Sequence, residues 1–531
     1  MQNNNSFIWW KNGIIYHIYP QSFNDSNNDG WGDLQGIIQK LDYLKDLGID
    51  AIWLSPVYES PLIDGGYDIS DYCKIHKNYG TMNDFCELLY EAHSRNIRII
   101  MDLVLNHTSD QHEWFKESRS SKNNPKRDWY IWRPPRKGKK PNNWRTNFGK
   151  SAWHFDSTTR EYYNHSFFWQ QPCLNWRNHE MRKAIFDVVT FWLDMGIDGF
   201  RLDVINLLFK DKKLHNESIR SLISNKKVYS RNQPEVYKML KEFRSLLDKY
   251  PEKMSVGEIY TPPPGDHRLV ASFLGNGLDM LHMAFDFSLV FAFFKSSNYY
   301  KIIHRYYSHI PQQAWACFFF SNHDVGRSVK RRNFICNKYK KAKLHALLLL
   351  TLKGTPFIYY GDEIGMENTK IPKHKMHDLY GKFFYPFYKG RDGARTPMQW
   401  NNTTNAGFST NTPFLPVNDN YLNINVAAEC EDENSVLSIY KKIISLRRQY
   451  QALQTGEIEF LNKGKKNVLA YFRYDDNNRF LILLNFGFRK KRLKISDLQN
   501  TTVMFSTHQT QKVSIKDTVV LLPYEGLILK M

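Results

Sequence analysis

The sequence predicts an α/β fold: a (β/α)8 TIM barrel with a subdomain inserted after its third strand and a C-terminal antiparallel β-domain. Three observations carry this reading. Short apolar runs recur with amphipathic helical segments between many of them, the pattern of parallel strands joined by crossover helices. A tryptophan-rich stretch interrupts that alternation once. Near residue 450 helical periodicity gives way to β-rich runs separated by turn residues.

In order, the runs are "GIIYHIY" (13–19), "AIWLSP" (51–56), "IRIIMDLVLNH" (97–107), "DGFRLD" (198–203), "MSVGEI" (254–259), "WACFFFSNHD" (315–324) and "PFIYYGDE" (356–363). With a weaker candidate, "LDMLHMAFDF" (278–287), they make the eight strands of a barrel. The barrel then occupies residues 1–107 and 178–452, divided by an insertion at 108–177. That insertion holds Trp114, Trp129, Trp132, Trp144, Trp153, Trp169 and Trp176, half of the 14 tryptophans. A long excursion from the face where barrel strands end commonly walls a pocket, so some of these rings are expected at a site and others in the insertion's own core. The runs "NVLAYFRY" (467–474), "RFLILLNF" (479–486) and "TVVLLPYEGLILKM" (518–531) place the small β-domain at 453–531.

Composition narrows the function classes. Aromatic residues make up 15% of the 531 and the formal charge is +20, but Lys and Arg are spread along the chain, with only short runs such as "RKGKK" (136–140) and "RKKR" (489–492). Without a basic arm or a recognisable nucleic-acid motif, this reads as a solvated surface and nucleic acid is not the expected partner. The six cysteines form no CxxC pair, so neither a zinc site nor a disulfide framework is indicated. The start "MQNNNSFIWWKNG" lacks a signal peptide's charged head and apolar stretch, and no run approaches the ~18 apolar residues of a membrane span. A soluble cytoplasmic protein without a membrane partner is expected.

Chemistry enters at "GIDGFRLDVINLLF" (196–209), which sets Arg201 and Asp203 among Phe200, Leu202, Val204 and Ile205. A carboxylate taken out of water costs several kcal/mol unless it is paired or hydrogen-bonded, so the pattern marks either a structural ion pair or a site. Two further carboxylates close other predicted strands: Glu258 in "SVGEIYT" and Asp324, beside His323, in "FSNHDVGR". Glycosidic cleavage needs one carboxylate as nucleophile and a second, protonated, over the leaving oxygen, with further negative charge facing the oxocarbenium-like centre. Three strand-end carboxylates with adjacent histidines suit that chemistry.

Together with "DLVLNH" (102–107), these segments resemble the four signature regions of the α-amylase superfamily of glycoside hydrolases, in order and across essentially the whole chain. The resemblance implies that Asp203 is the nucleophile, Glu258 the general acid/base and Asp324 the carboxylate that stabilises the transition state. It implies that Arg201 holds the nucleophile ionised, and that His107 and His323 hydrogen-bond the glucose being cleaved. It further implies net retention and a nucleophile-to-acid separation near ~5 Å. The histidines show no HxH or HExxH metal-ligand spacing. "GGYDISDY" (65–72) and "GRDGARTPMQW" (390–400) resemble the segments that supply a stacking tyrosine, Tyr67, and a clamp, Asp68 with Arg395, closing the pocket behind a non-reducing glucose. A blind pocket implies exo-action.

"DSNNDGWGDLQG" (25–36) sets side-chain oxygens at Asp25, Asn27, Asp29 and Asp33, with the Trp31 carbonyl between, as in an EF-hand loop lacking its terminal glutamate. The resemblance implies a structural, non-catalytic calcium or magnesium ion there. Among exo-glucosidases of this kind many carry Thr or Ala where this chain has Val204, and valine accompanies α-1,6 activity. The expected substrates are therefore short α-glucosides of the maltose and isomaltose type. Phosphorylated trehalose is less supported, because no basic cluster in the sequence can be assigned to a phosphate pocket. The alternatives are a transglucosidase or sucrose isomerase on the same scaffold, and a non-catalytic glycosidase-like binding subunit, which would lack the carboxylate set.

Overall fold

Eight parallel strands form the central sheet: β1 (Ile15–Ile18), β2 (Ala51–Leu54), β3 (Arg98–Val104), β4 (Gly199–Asp203), β5 (Met254–Glu258), β6 (Met283–Phe285), β7 (Cys317–Phe318) and β8 (Thr355–Tyr359). The computed structural model describes residues 7–262, 264–329, 337–461, 464–494, 501–508 and 518–531. The strands run in the order β6-β5-β4-β3-β2-β1-β8-β7 with every ladder parallel. Between the outer pair the Cys317 thiol donates to the Ala284 carbonyl at 3.4 Å, so a side chain bridges β7 to β6 and the sheet curls into a barrel. The weak run at 278–287 is thus β6, short because three residues suffice once both neighbours shield it.

Alternation along each strand divides the core in two. Ile15, Trp53, Ile100, Val256, Met283, Phe285, Cys317 and Phe357 form one buried cluster, the filled interior of the barrel. Ile14, Tyr16, Ile52, Leu54, Ile99, Phe200 and Leu202 face outward and pack on the helices. Those helices show why they form where they do. Met82–Ser94 starts at a capping box in which the Thr81 hydroxyl accepts the Asp84 N–H and the Asp84 carboxylate accepts the Thr81 N–H. It buries Phe85, Leu88, Leu89 and Ala92, spaced to share one face. His179–Asp194 is capped by Asn178 and buries Met181, Ile185, Val188, Val189, Trp192 and Leu193. Lys338–Thr351 is buried nearly all round because it lies between two layers, the barrel and the C-terminal domain, where Thr351 and the Tyr471 hydroxyl meet at 2.5 Å.

The interruption after β3 builds a three-stranded antiparallel sheet with Glu161–Asn164 between Trp132–Arg133 and Trp153–Asp156. At the C-terminus, strands Glu457–Phe460, Val468–Tyr474, Arg479–Asn485, Gly526–Lys530 and Thr502–Ser506 form an antiparallel sheet in that order. Among the described residues no helix is long and apolar enough to cross a membrane.

Candidate active site

Period-two geometry explains why Arg201 and Asp203 stand among apolar neighbours on β4. Phe200 and Leu202 point outward to the helices, so Arg201 and Asp203 share the inward face at the end of β4. The ladder sets Asp102 of β3 opposite Arg201, and Glu258 closes β5 on the other side. The guanidinium therefore meets three carboxylates: Asp102 at 2.7 and 2.8 Å, Asp203 at 3.0 Å, and Glu258 through its other amino group. Arg201 is 1% exposed, and all three acids are buried. One positive charge cannot hold three adjacent negative ones in a dry site, so the cluster retains protons near neutrality.

Burial pushes Glu258 up to about 7, against the pull of Arg201 and with the help of Asp324 and Asp102. Burial also raises Asp203, Arg201 opposing. The two titrate as a pair, one proton being retained between them. Arg201 is thus not dedicated to Asp203, as the resemblance implied, but shared by both members of the pair and by Asp102. The sign for activity follows: a group that must donate a proton works while protonated. We expect kcat/KM for a disaccharide to fall about tenfold per pH unit above about 7, with an acidic limb at lower pH where Asp203 is protonated as well. A pH–rate profile with no basic limb between pH 6 and 8.5 would contradict this assignment.

Asp324 occupies the facing side of the same cavity. Burial opposes its charge, but the Nε2 edge of the His323 imidazole at 3.0 Å and the guanidinium charges of Arg391 at 3.2 Å and Arg395 at 3.0 Å outweigh burial and hold it well below the usual carboxylate range. The clamp expected between Asp68 and Arg395 is not what forms. Asp68 is fully buried and its two oxygens accept the backbone N–H groups of Ile63 and Asp64, so it shapes the loop after β2. Arg395 instead donates to the His323 carbonyl at 2.8 Å and to Asp324. The pair that spans the cavity is Asp64 with Arg391, at 2.6 Å, and Arg391 is gripped from behind by Asp378 at 3.0 Å. Asp378 sits at about 2, its burial overcome by Arg391. Both missed residues adjoin the quoted segments: Asp64 immediately precedes "GGYDISDY", and Arg391 lies in "GRDGARTPMQW".

The histidines are neutral. Burial lowers His107 to about 3 and His323 to about 4. Asn106 donates to His107 Nδ1 at 3.0 Å, which leaves Nε2–H to donate to the Tyr67 carbonyl at 3.0 Å. Tyr67 stacks on His323, centroids 5.1 Å apart and planes 8° apart, and its hydroxyl donates to Asp102 at 2.8 Å.

These groups line a cavity of about 490 Å³. Asp64, Tyr67, His107, Asp203, Glu258, Asp324 and Arg391 ring its polar end, and Phe148, Phe167, Phe287, Phe291, Tyr380, Phe384, Phe387 and Tyr388 form its aromatic wall. The insertion contributes Phe148 and Phe167 to that wall, beside Asn147, and none of its seven tryptophans; the other six rings follow β6 and β8. Six of the tryptophans pack among themselves, as Trp144 on Trp153 and Trp114 against Trp129, or onto the barrel, while Trp169 stays exposed and stacks on His154. Val204 also lines the cavity, directly after Asp203, with φ 35° and ψ 46°. A β-branched residue pays on the order of 1–3 kcal/mol for this left-handed backbone, so the strand is turned abruptly at the reacting carboxylate.

Loop 25–33 lies apart from this cavity and contributes nothing to its lining. Its carboxylates accept the loop's own N–H groups: Asp25 those of Asn28 and Gly30, Asp29 that of Trp31, and Asp33 that of Ser26. Among the described residues no three His, Cys, Asp or Glu side chains converge as a metal cluster. The donor set is nevertheless all oxygen, which suits a hard cation, and the Asp25 and Asp29 oxygens each accept a single hydrogen bond, whereas Asp33 Oδ2 already accepts both the N–H and the hydroxyl of Ser26.

A barrel whose strand ends hold two buried carboxylates on one arginine, inside a sugar-sized cavity closed by a second arginine, is a glycoside-cleaving enzyme by class. Comparison with known proteins bears this out. The chain belongs to the alpha-amylase family, whose catalytic domain matches residues 17–456. It is 40% identical to the oligo-1,6-glucosidase of Parageobacillus thermoglucosidasius, over 99% of both chains. Among solved structures, the trehalulose synthase of Pseudomonas mesoacidophila MX-45 superposes with a TM-score of 0.92 at 35% identity, covering 99% of this chain and 100% of that one. An alpha-glucosyl transfer enzyme superposes with a TM-score of 0.90 at 34% identity, covering 99% of this chain and 100% of that one.

Proposed function

We propose that this chain is a retaining exo-α-glucosidase that releases glucose from the non-reducing end of short α-glucosides, isomaltose-type links included. The observation that carries the reading is that Asp203 and Glu258 face one guanidinium at the end of a cavity spanned by the Asp64–Arg391 pair. An Asp203 oxygen attacks the anomeric carbon while the proton on Glu258 passes to the departing glycosidic oxygen. The bond to the aglycone breaks and a glucosyl ester forms on Asp203. Glu258, now a carboxylate, takes a proton from water, which attacks the ester and frees glucose with its anomeric configuration retained. Asp324, ionised throughout, faces the positive charge that develops on the ring. The similarity to oligo-1,6-glucosidases supports hydrolysis and the α-1,6 link. Hydrolysis of maltose, isomaltose, sucrose and trehalose side by side tests it; no glucose from any of them would sink it.

Transfer to a sugar acceptor is the second reading, favoured by the aromatic wall and by the likeness to a trehalulose synthase. Product analysis on sucrose separates the two, free glucose and fructose marking hydrolysis and a sucrose isomer marking transfer. Linkage preference is expected to follow Val204. Val204→Thr keeps the branched shape but exposes a hydroxyl to the aglycone, and the isomaltose-to-maltose ratio of kcat/KM should fall several-fold. An unchanged ratio would remove Val204 from the specificity determinants.

A calcium or magnesium ion on Asp25, Asn27, Asp29, the Trp31 carbonyl and Asp33 is part of this proposal. It would relieve the repulsion of three carboxylates within nine residues and stiffen the loop. Chelation should lower Tm by a few degrees, as a ligand bound only by the folded state requires, and leave kcat below Tm little changed. Equal Tm with chelator and with added cation would exclude the ion. The described cysteines are all free, which fits a reducing cytoplasm.

A further inference from the structure

Outside the catalytic cluster, one buried cation near the cavity has no counter-charge. Lys210 follows the turn after β4 and is 3% exposed. Among the described residues it makes no ion pair, and the charged side chains bearing on it are Arg231 and Arg177. Its ammonium donates to the Asn106 side-chain oxygen at 2.9 Å and to the Leu207 carbonyl, which ends the turn Ile205–Leu207. Burial lowers its pKa from that of an ordinary lysine. A charge held out of water on two neutral acceptors is costly, and no step of the proposed reaction uses it.

Its neighbours show what it controls. The Asn106 amide stands between Lys210 and His107, with Nδ2 at 3.0 Å from His107 Nδ1. On the far side of the ring, His107 Nε2 lies 3.0 Å from the Tyr67 carbonyl and 3.0 Å from the Gln171 amide nitrogen, which also donates to Asp64 at 3.1 Å. These two contacts require opposite states of the ring. The Tyr67 carbonyl can only accept and calls for a proton on Nε2, whereas the Gln171 nitrogen can only donate and would suit a bare Nε2. Lys210 decides between them. An ammonium can only donate, so the Asn106 atom facing it is the oxygen, the Asn106 nitrogen faces His107, and His107 Nδ1 accepts. The proton of the neutral ring is then on Nε2. Turning the amide over would set its NH2 group against a buried ammonium and lose a charge-assisted hydrogen bond, which is about twice as strong as a neutral one. Burial keeps the ring neutral, and the charge of Lys210 adds to that.

We propose that Lys210 is a positioning residue that fixes the tautomer of His107, so that the imidazole presents an Nε2–H donor at the polar end of the active-site cavity. His107 lines that end together with Asp64, so a sugar hydroxyl arriving there meets a donor beside an acceptor. The substrate part of this inference rests on the exo-α-glucosidase reading; the tautomer does not.

Two measurements test it. The first is the nitrogen-15 spectrum of the full chain labelled on histidine, with His107 assigned by the signals missing from His107→Gln. The wild type should show His107 as a neutral ring with its proton on Nε2. Lys210→Met, similar in length but without the cation, should move His107 to a protonated Nδ1 or to a mixture of the two forms. Lys210→Arg, the other donor-only side chain, should keep Nε2–H. A Lys210→Met spectrum in the wild-type form overturns the proposal. So does a wild-type ring protonated on Nδ1, which decides the matter even if no variant folds. The second measurement is hydrolysis of isomaltose. Lys210→Met should lower kcat/KM about tenfold, the effect of one hydrogen bond, mostly through KM, and Lys210→Arg should restore most of it. A shifted tautomer with unchanged kcat/KM overturns the part played towards substrate. Failure of the wild type to release glucose sinks the glucosidase reading, while the spectrum still decides the tautomer.

Discussion

Asp203→Asn should abolish glucose release from isomaltose and maltose, lowering kcat by a factor on the order of 10⁴ or more, while the protein folds as before. The amide is the same size as the carboxylate, stays within reach of Arg201 Nη1, and cannot attack the anomeric carbon. Removing one of three negative charges around a single guanidinium also lowers the pKa of Glu258, so any residual activity should have its basic limb at lower pH. Single-turnover kinetics with an isotopically labelled glucoside would check the assignment directly. Label on the protein after a denaturing quench is expected with the wild type and absent from the variant. A variant that retains more than about a hundredth of wild-type kcat would move the nucleophile elsewhere.

Arg391→Ala should be the most damaging change outside the catalytic pair. Arg391 neutralises Asp64, Asp378 and Asp324 together, and Asp64 and Asp378 are 6% and 4% exposed. Taking the cation away leaves buried carboxylates unpaired, which costs about 3–5 kcal/mol, so Tm should drop by several degrees. Linkage gives the sign with pH. Asp378 is held down to about 2 by Arg391, so its share of the stability is present above the ordinary aspartate range and lost as pH falls through that value. The variant should lose that stability at neutral pH and be relatively less affected in acid. For substrate, loss of the Asp64–Arg391 span should lower kcat/KM by about 10²-fold, mostly through KM. Arg391→Lys should rescue part of the stability and little of the KM, because an ammonium cannot fork between three acceptors. Asp68→Asn is the control, expected to perturb the loop after β2 while leaving the span in place. If Asp68→Asn raised KM more than Arg391→Ala did, the corrected pairing would be wrong.

Much of the site was legible because its residues stand at the ends of apolar runs. Asp203, Glu258 and Asp324 each break a hydrophobic pattern, and a charge in such a place must be paired or used. The barrel was legible, down to its weakest strand, because its strands are buried on both faces and so read as eight short apolar runs with helical segments between many of them. The Asp64–Arg391 span was misassigned because both partners lie in irregular loops. Within "GGYDISDY" and "GRDGARTPMQW" several acids and two arginines fall within a few residues of one another, and no periodicity says which points inward. The aromatic wall was anticipated in the wrong residues: tryptophan density marked the insertion, but large rings fill its own small core, and phenylalanines face the cavity instead.

The eight strands, the place of the insertion and the acids that interrupt or follow the apolar runs, Asp203 and Glu258 at strand ends and Asp324 in the loop after β7, are readable from the chain alone, since hydrophobic patterning is local and a charge that breaks it stands out. Which arginine serves which acid, and that Arg201 is shared by the catalytic pair, came only from how the chain packs. Electrostatic partnership depends on distance and burial in three dimensions, and loops carry no periodicity from which either could be read.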